Sequence, residues 1–216
     1  MATAKDLVVK PIKSADAIPF VKAHHYSGKV AQNSQLHLGV FLDDRLHGVM
    51  QFGPSLDKRK IQGLVSGTQW HEFLELNRMA FDDVLPRNSE SRALSVAWRL
   101  LKKHAPQVKW VISFADGTQC GDGTIYRAAG FVLTGIKENT SIWTIEGQKF
   151  TDVGYRTGSE VKKIINATTT TKGKHILNNG GASMKYLIEA GAKPLTGFQL
   201  RYIYFIDPAY RARLTV

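Results

Sequence analysis

Residues Val111 to Phe131 constrain this chain more than any other stretch. An apolar run, Val111-Ile112-Ser113-Phe114, passes through Ala115 into Asp116-Gly117-Thr118-Gln119-Cys120-Gly121-Asp122-Gly123, then Thr124-Ile125-Tyr126-Arg127-Ala128-Ala129-Gly130-Phe131. The run has the length and content of a buried strand, and Gly130 closes a short helix. Between them, three glycines and two aspartates from Asp116 to Gly123 make a loop whose backbone can approach a ligand closely. At the carboxyl end of a strand in an α/β sheet, such a loop is a place for chemistry. An ordinary strand-to-helix connection, with Asp and Gly as turn formers, is the plainer alternative.

The flanking sequence supplies a sheet for this motif. Asp6 to Val9 reads as a first strand stopped by Pro11. A helix follows through Phe20, Val21 and His24, with Ser14 and Asp16 as candidate caps and Pro19 tolerable near its first turn. Leu36, Leu38, Val40 and Leu42 alternate with other residues, and Asp43-Asp44-Arg45 turns the chain into a return strand, Leu46 to Phe52. Residues 55–70 read as loop, with the basic run Lys58-Arg59-Lys60 a solvated face or a phosphate contact. Phe73 to Phe81 reads as a central strand carrying Glu75, Asn77 and Arg78. Polar groups inside so apolar a strand must be paired or line a cleft. Leu94, Ala97, Trp98 and Leu101 mark the strongest helix, opened by Asn88-Ser89-Glu90-Ser91-Arg92. Phe131 to Gly135 and Thr140 to Ile145 read as a closing strand pair, and Leu200 to Ile206 as the last strand. This order predicts a twisted α/β sheet with helices on both faces.

Length fits a single domain over residues 1–216. Residues 147–199, rich in Lys, Thr, Gly and Asn, read as a partly mobile insertion before the last strand, with amphipathic pieces at Ser159 to Ile165 and Ala182 to Ala190. The net charge of +11 points to a polyanion, most often nucleic acid. One cysteine, Cys120, leaves no internal disulfide, and no run is long and apolar enough for a leader or a membrane span. The expected compartment is a reducing cytoplasm.

The element order resembles the GNAT acyltransferases, and Tyr126-x-x-x-Gly130-Phe131 resembles the turn after their fourth helix. That resemblance implies a mixed, splayed sheet, with an activated acyl group lying between Phe73–Phe81 and Val108–Phe114. Where that superfamily carries a glycine-rich pyrophosphate loop, this chain has Arg87-Asn88-Ser89-Glu90-Ser91-Arg92-Ala93 and lacks the glycines. A helix start with Arg87, Ser89, Ser91 and Arg92 still suits a phosphate.

Longer words resemble the Mom DNA-modification family of Mu-like bacteriophages. They are His25-Tyr26-Ser27-Gly28, Leu76-Asn77-Arg78-Met79, Leu85 to Arg92, Ser113 to Arg127, and Leu200 to Ile206 with Asp207-Pro208-Ala209. The resemblance implies conversion of adenine in phage DNA to N6-carbamoylmethyladenine, which blocks host restriction, inside the host cell cytoplasm. Double-stranded DNA is the implied partner, with no membrane; a homodimer is open.

The exocyclic amine of adenine is a poor nucleophile until a proton leaves, which suits a carboxylate. Asp116 is the candidate base, and Tyr126 the candidate acid, as the tyrosine at that helix position is thought to be in many GNAT enzymes. The target base must be extruded, and Tyr26 beside His25 is the candidate stacking partner. Arg78 neutralises charge near the donor or pairs with Glu75, which faces the opposite side in a regular strand.

Two donors account for the added CH2-CONH2 group. A glycyl group, from glycyl-tRNA or a thioester, could transfer to N6; its free amine would then attack ring carbon 6 and expel the original nitrogen as carboxamide. Acetyl coenzyme A with oxidative amination would need a metal such as iron, with ligands among His24, His25, Asp116, Asp122 and Cys120. Two readings compete: a non-catalytic DNA-binding protein on this scaffold, and a conventional acetyl coenzyme A-dependent N-acetyltransferase.

Overall fold

The computed structural model describes residues 2–118, 121–179 and 183–216. In chain order the elements are β1 (Val8–Pro11), α1 (Ser14–His24), β2 (Leu36–Leu42), β3 (Arg45–Gly53), α2 (Lys58–Gln62), β4 (Phe73–Phe81), α3 (Ser89–His104), β5 (Trp110–Asp116) and α4 (Thr124–Ala128). There follow β6 (Val132–Glu138), β7 (Ile142–Ile145), β8 (Gln148–Thr151), α5 (Asp152–Arg156), α6 (Val161–Ala167), α7 (Thr171–Asn179), α8 (Met184–Glu189), β9 (Lys193–Pro194) and β10 (Phe198–Phe205). Two compact units emerge. One comprises Met1–Ala115, Asp122–Gly135 and Leu200–Val216, the other Asp116–Gly121 and Ile136–Gln199. Among the described residues the strands form a seven-stranded sheet, ordered β1-β2-β3-β4-β5-β10-β6, and a three-stranded sheet, β8-β7-β9. No helix among them is long and apolar enough to cross a membrane.

In the first unit, alternation along the strands sends side chains to two cores. Leu38, Met50, Phe52, Leu76 and Val111 pack with Leu94, Ala97, Trp98 and Leu101 of α3. On the other face Val49 and Ala80 meet Ala17 and Val21 of α1, and Phe73, Trp110 and Ile112 meet Ile61, Val65 and Tyr210. Helices therefore cover both faces, as the sequence predicts. Asp43 and Asp44 both hold positive φ, 48° and 59°, as a two-residue hairpin turn between β2 and β3 requires. Pro11 lies within β1, tolerated because β1 is the edge strand. Pro19 sits in the second turn of α1 rather than the first, and Lys13, not Ser14, is the N-cap residue.

Residues 55–70, read as loop, carry the helix α2, and the closing strands do not pair as expected. β6 joins the large sheet beside β10, whereas β7 pairs with β8 and β9, so Phe131 to Ile145 is not a strand pair. The Thr/Lys tract carries secondary structure: Thr171–Asn179 is a helix, and Ile164, Leu177 and Leu187 share a buried core with Ile145, Phe150 and Tyr155 of the second unit.

The feature that positions the site is how β4 leaves its neighbour. β4 and β5 pair in parallel only through Phe73↔Trp110, Leu74↔Val111 and Glu75↔Ile112, although β4 runs on to Phe81 and β5 to Asp116. Directly beyond the last pair, the β3–β4 register passes from Phe52↔Leu76 to Gln51↔Arg78, so Asn77 is an extra residue. A bulge of this kind bends and twists its strand, and here it steers β4 away from β5.

Candidate active site

Parting two parallel strands exposes backbone groups that need partners. One is met by β5 itself. Buried Ser113 holds its Oγ 3.1 Å from the carbonyl oxygen of Leu76, the first β4 residue beyond the paired segment, and 3.0 Å from the phenolic oxygen of Tyr126. Ser113 Oγ is the donor toward both oxygens and shares its one proton between the Leu76 carbonyl and the Tyr126 phenolic oxygen. Tyr126 is fixed from other sides as well. Its ring stacks on Tyr202 at 5.2 Å and meets Phe131 edge-on at 5.1 Å. Tyr202 in turn donates its hydroxyl to the Asp122 carbonyl (2.8 Å). Gly123, with φ 75°, brings the loop so close that a Cβ there would lie 2.5 Å from the Tyr202 ring.

A second cluster lies on the α1 face of the same sheet. Because of the bulge, Arg78 falls on the face of Ala80 and Phe73, and Glu75 shares it; the opposite-face expectation for these two residues is overturned. They still do not pair. Arg78 donates from Nε to the Lys29 carbonyl (3.0 Å) and from Nη1 to the Asn77 carbonyl (2.6 Å), while Glu75 accepts from Ser55. His25 is part-buried against this arginine, with Nδ1 2.8 Å from Ser27 Oγ. Burial, and then the nearby Arg78 charge, push its pKa down to about 4. Tyr26, its ring 4.3 Å from that of His25, is 52% exposed. An aromatic side chain this exposed is of the kind that stacks on planar groups.

Sequence reasoning missed Ser113, which reads as one more residue of an apolar run, and the polar pair beside Arg78. Gln51 is paired in register with Arg78, lies 3.1 Å through Nε2 from His37 Nδ1, and is buried with Oε1 unpartnered. A glutamine inside Val49-Met50-Gln51-Phe52 was the signal that could have found it.

The start of α3 carries the expected phosphate contacts in mixed states. Asn88 holds φ 70° and gives no side-chain cap. Ser89 is buried and donates to the Pro86 carbonyl (2.5 Å), and Ser91 donates to that of Asn88 (3.1 Å). Arg87 is exposed, and Arg92 keeps a buried Nε with no hydrogen-bond partner. On α2, Lys58 is committed to the Trp70 ring, 4.0 Å from its centroid, whereas Arg59 and Lys60 are exposed.

Asp116 belongs to the second unit, where it ties its own loop. Its Oδ1 accepts from the Thr118 N–H (2.9 Å) and from Asn139 Nδ2 (3.1 Å), which also bonds Thr118 Oγ1 (3.0 Å). The described metal candidates are each engaged with other partners. His24 stacks on Phe20 at 4.3 Å. Asp122 is ion-paired with Arg127 at 2.7 Å, and hydrogen bonds from Thr124 and Arg127 hold its pKa down at about 2. Among the described residues no three His, Cys, Asp or Glu side chains converge, and Cys120 lies outside the described residues.

Residues 6–216 match the Mom protein family. The chain belongs to that family. A curated Mom relative, the methylcarbamoylase of Escherichia phage Mu, is 38% identical over 151 residues, 69% of this chain. The match spans 62% of that relative's length. Among solved structures, spermidine/spermine N-acetyltransferase SpeG from Vibrio cholerae, in complex with manganese ions, is similar with a TM-score of 0.52 at 8% identity, over 98% of this chain and 99% of its own. An N-acetyltransferase from Staphylococcus aureus Mu50 follows at 0.51 and 10%, over 93% of this chain and 98% of its own. At such identities the likeness is one of fold. The Mom family chain thus has the GNAT-like fold, and the β4–β5 parting is the element of it that frames Tyr126.

Proposed function

We propose that this chain is a transferase that modifies the exocyclic amine of adenine in double-stranded DNA to N6-carbamoylmethyladenine. What carries the reading is the parting of β4 from β5 beside Tyr126, with Ser113 bonded to both the Leu76 carbonyl and the tyrosine. Family membership and a curated relative named methylcarbamoylase support the product assigned. The net charge of +11 supports a DNA substrate.

On the α1 face of the sheet, Tyr26 is the stacking partner proposed for the extruded adenine, and Arg78, held by the Lys29 and Asn77 carbonyls, the positive charge proposed beside it. Asp116 takes the N6 proton as nitrogen attacks the acyl carbonyl. Tyr126 gives its proton to the departing thiolate or ribose oxygen, and Ser113 aligns that hydroxyl. The unpartnered Nε of Arg92 and the uncapped first turn of α3 fit an anionic portion of the donor, coenzyme A or the end of glycyl-tRNA. When bound, either donor supplies an activated acyl carbonyl. A glycyl donor reaches the product without a redox step, since its amine displaces the original nitrogen at ring carbon 6. Acetyl coenzyme A would need an oxidative amination as well, for which iron is the candidate metal.

The test is mass spectrometry of nucleosides from plasmid DNA of cells producing the protein and being fed nitrogen-15 glycine. Carbamoylmethyladenine should appear with wild-type protein and disappear with Tyr126→Phe. Unmodified adenine with folded wild-type protein would overturn the function. Label confined to the carboxamide would rule out the glycyl route alone.

A further inference from the structure

The second unit carries a helical hairpin that the reaction above does not use. α6 and α7 are joined by three residues, Thr168 to Thr170. The turn is built tightly. Thr168 is fully buried and donates Oγ1 to the Ile164 carbonyl (2.9 Å), and Glu146 accepts the Thr169 N–H (2.6 Å). Thr170 Oγ1 accepts the Gly173 N–H (3.3 Å), and a Cβ on Gly173 would lie 2.7 Å from both Thr168 and Thr170. Glycine lets α7 seat against its own turn.

The seating decides which side of α7 faces out. Gly173 and Leu177 are buried, whereas Thr171, Lys174, His175 and Asn178 are exposed. Those four stand at i, i+3, i+4 and i+7, one polar stripe along the helix. On α6, Lys162, Lys163 and Asn166 are exposed as well. From residue 161 to 185 the chain has five lysines and no Asp or Glu. A solvated helix face ordinarily mixes both signs of charge. The exposed side chains of α6 and α7 are cations and two-sided hydrogen-bonding groups, while the exposed Glu146 carboxylate near Lys174 is held by the N–H groups of the turn.

We propose that α6 and α7 form a helix-turn-helix element whose exposed α7 stripe enters the major groove of duplex DNA, with the α6 lysines on the flanking phosphates. Asn can read adenine bidentately, and Lys and His suit guanine acceptors or phosphate. The B-form major groove, about 12 Å wide, admits such a helix, whereas A-form RNA has a deep, narrow one that does not. That favours DNA over tRNA as the occupant. The inference rests on DNA being the substrate, and it assigns sequence context to the second unit rather than to the residues around Tyr126.

The test is fluorescence anisotropy of the full-length protein on a labelled duplex of about 20 base pairs across a salt series. Lys174→Ala with Asn178→Ala should weaken binding roughly tenfold or more and flatten the salt dependence by about one ion. Lys174→Arg should bind within about twofold of wild type, as should Lys149→Ala elsewhere in the unit. Wild-type affinity in the double variant, or a wild-type preference for an RNA duplex of the same sequence, would overturn the inference. Duplex binding through α7 without adenine modification would count against the proposed reaction and leave this inference standing. Modification with full duplex affinity in the double variant would do the reverse.

Discussion

Ser113 and Tyr126 hold each other at the opening of the sheet, 3.0 Å apart, with the serine also 3.1 Å from the Leu76 carbonyl. Ser113→Ala leaves the buried Leu76 carbonyl without its Ser113 donor and takes one contact from the Tyr126 hydroxyl. Unpaired buried groups of this kind cost about 1–3 kcal/mol. Urea unfolding should register that loss. Modification should fall further than stability explains at temperatures where the variant is fully folded, because the tyrosine loses its alignment. Full activity in a folded Ser113→Ala variant would remove the serine from the mechanism.

Tyr126→Phe keeps the ring contacts with Tyr202 and Phe131 and removes only the hydroxyl. The variant should fold and bind duplex as wild type does, while its turnover falls by roughly a hundredfold or more, the usual worth of a general acid. Unchanged turnover, measured by nucleoside mass spectrometry at a single protein concentration, would return Tyr126 to a packing role.

His25 has a folded pKa of about 4 against 6.5 for a free imidazole. Between those values the unfolded chain binds more protons than the folded one, so stability rises with pH across that window. The contribution is fully present above 6.5 and is lost as pH falls through 6.5 toward 4. Denaturation midpoints compared at pH 7 and pH 4.5 should differ less in His25→Gln than in wild type. Arg78→Ala, which removes the second cause of the shift, should raise the His25 titration point seen by NMR.

Gly53 pairs with Glu75, at the edge of the bulge. A methyl group there would collide with the Asn33 carbonyl and lie 2.8 Å from Asn77 Oδ1. Gly53→Ala should push the loop carrying His25 and Tyr26 off β4. The expected result is a loss of about 1–3 kcal/mol in stability, as for other overpacked sites, together with weaker binding of DNA containing an unpaired adenine. Wild-type values in both measurements would show that the loop seats independently of the bulge.

Much of this architecture was legible locally. The β2–β3 hairpin, α3, β5 and the short α4 each announce themselves by period two, by i, i+3, i+4, i+7 spacing, or by a closing glycine, and each forms where expected. His25 and Tyr26 stood out as a polar cluster at a helix end and Arg78 as a charge inside an apolar strand, whereas Tyr126 stood out only through the resemblance to the GNAT turn. The bulge at Asn77 did not. It changes which face Arg78 occupies, and only the register against β3 reveals it. Ser113 passed as apolar filler, since its hydroxyl acquires meaning only when the Leu76 carbonyl has lost its neighbouring strand. Residues 171–179 run against helix propensity, with Thr171 and Gly173 in the first turn, yet they form α7 because Leu177 and Gly173 find buried seats. Element type follows from periodicity, which a few neighbouring residues carry. Strand partners, bulges and the fate of buried polar groups depend on residues distant in the chain, and so were decided only in the tertiary structure.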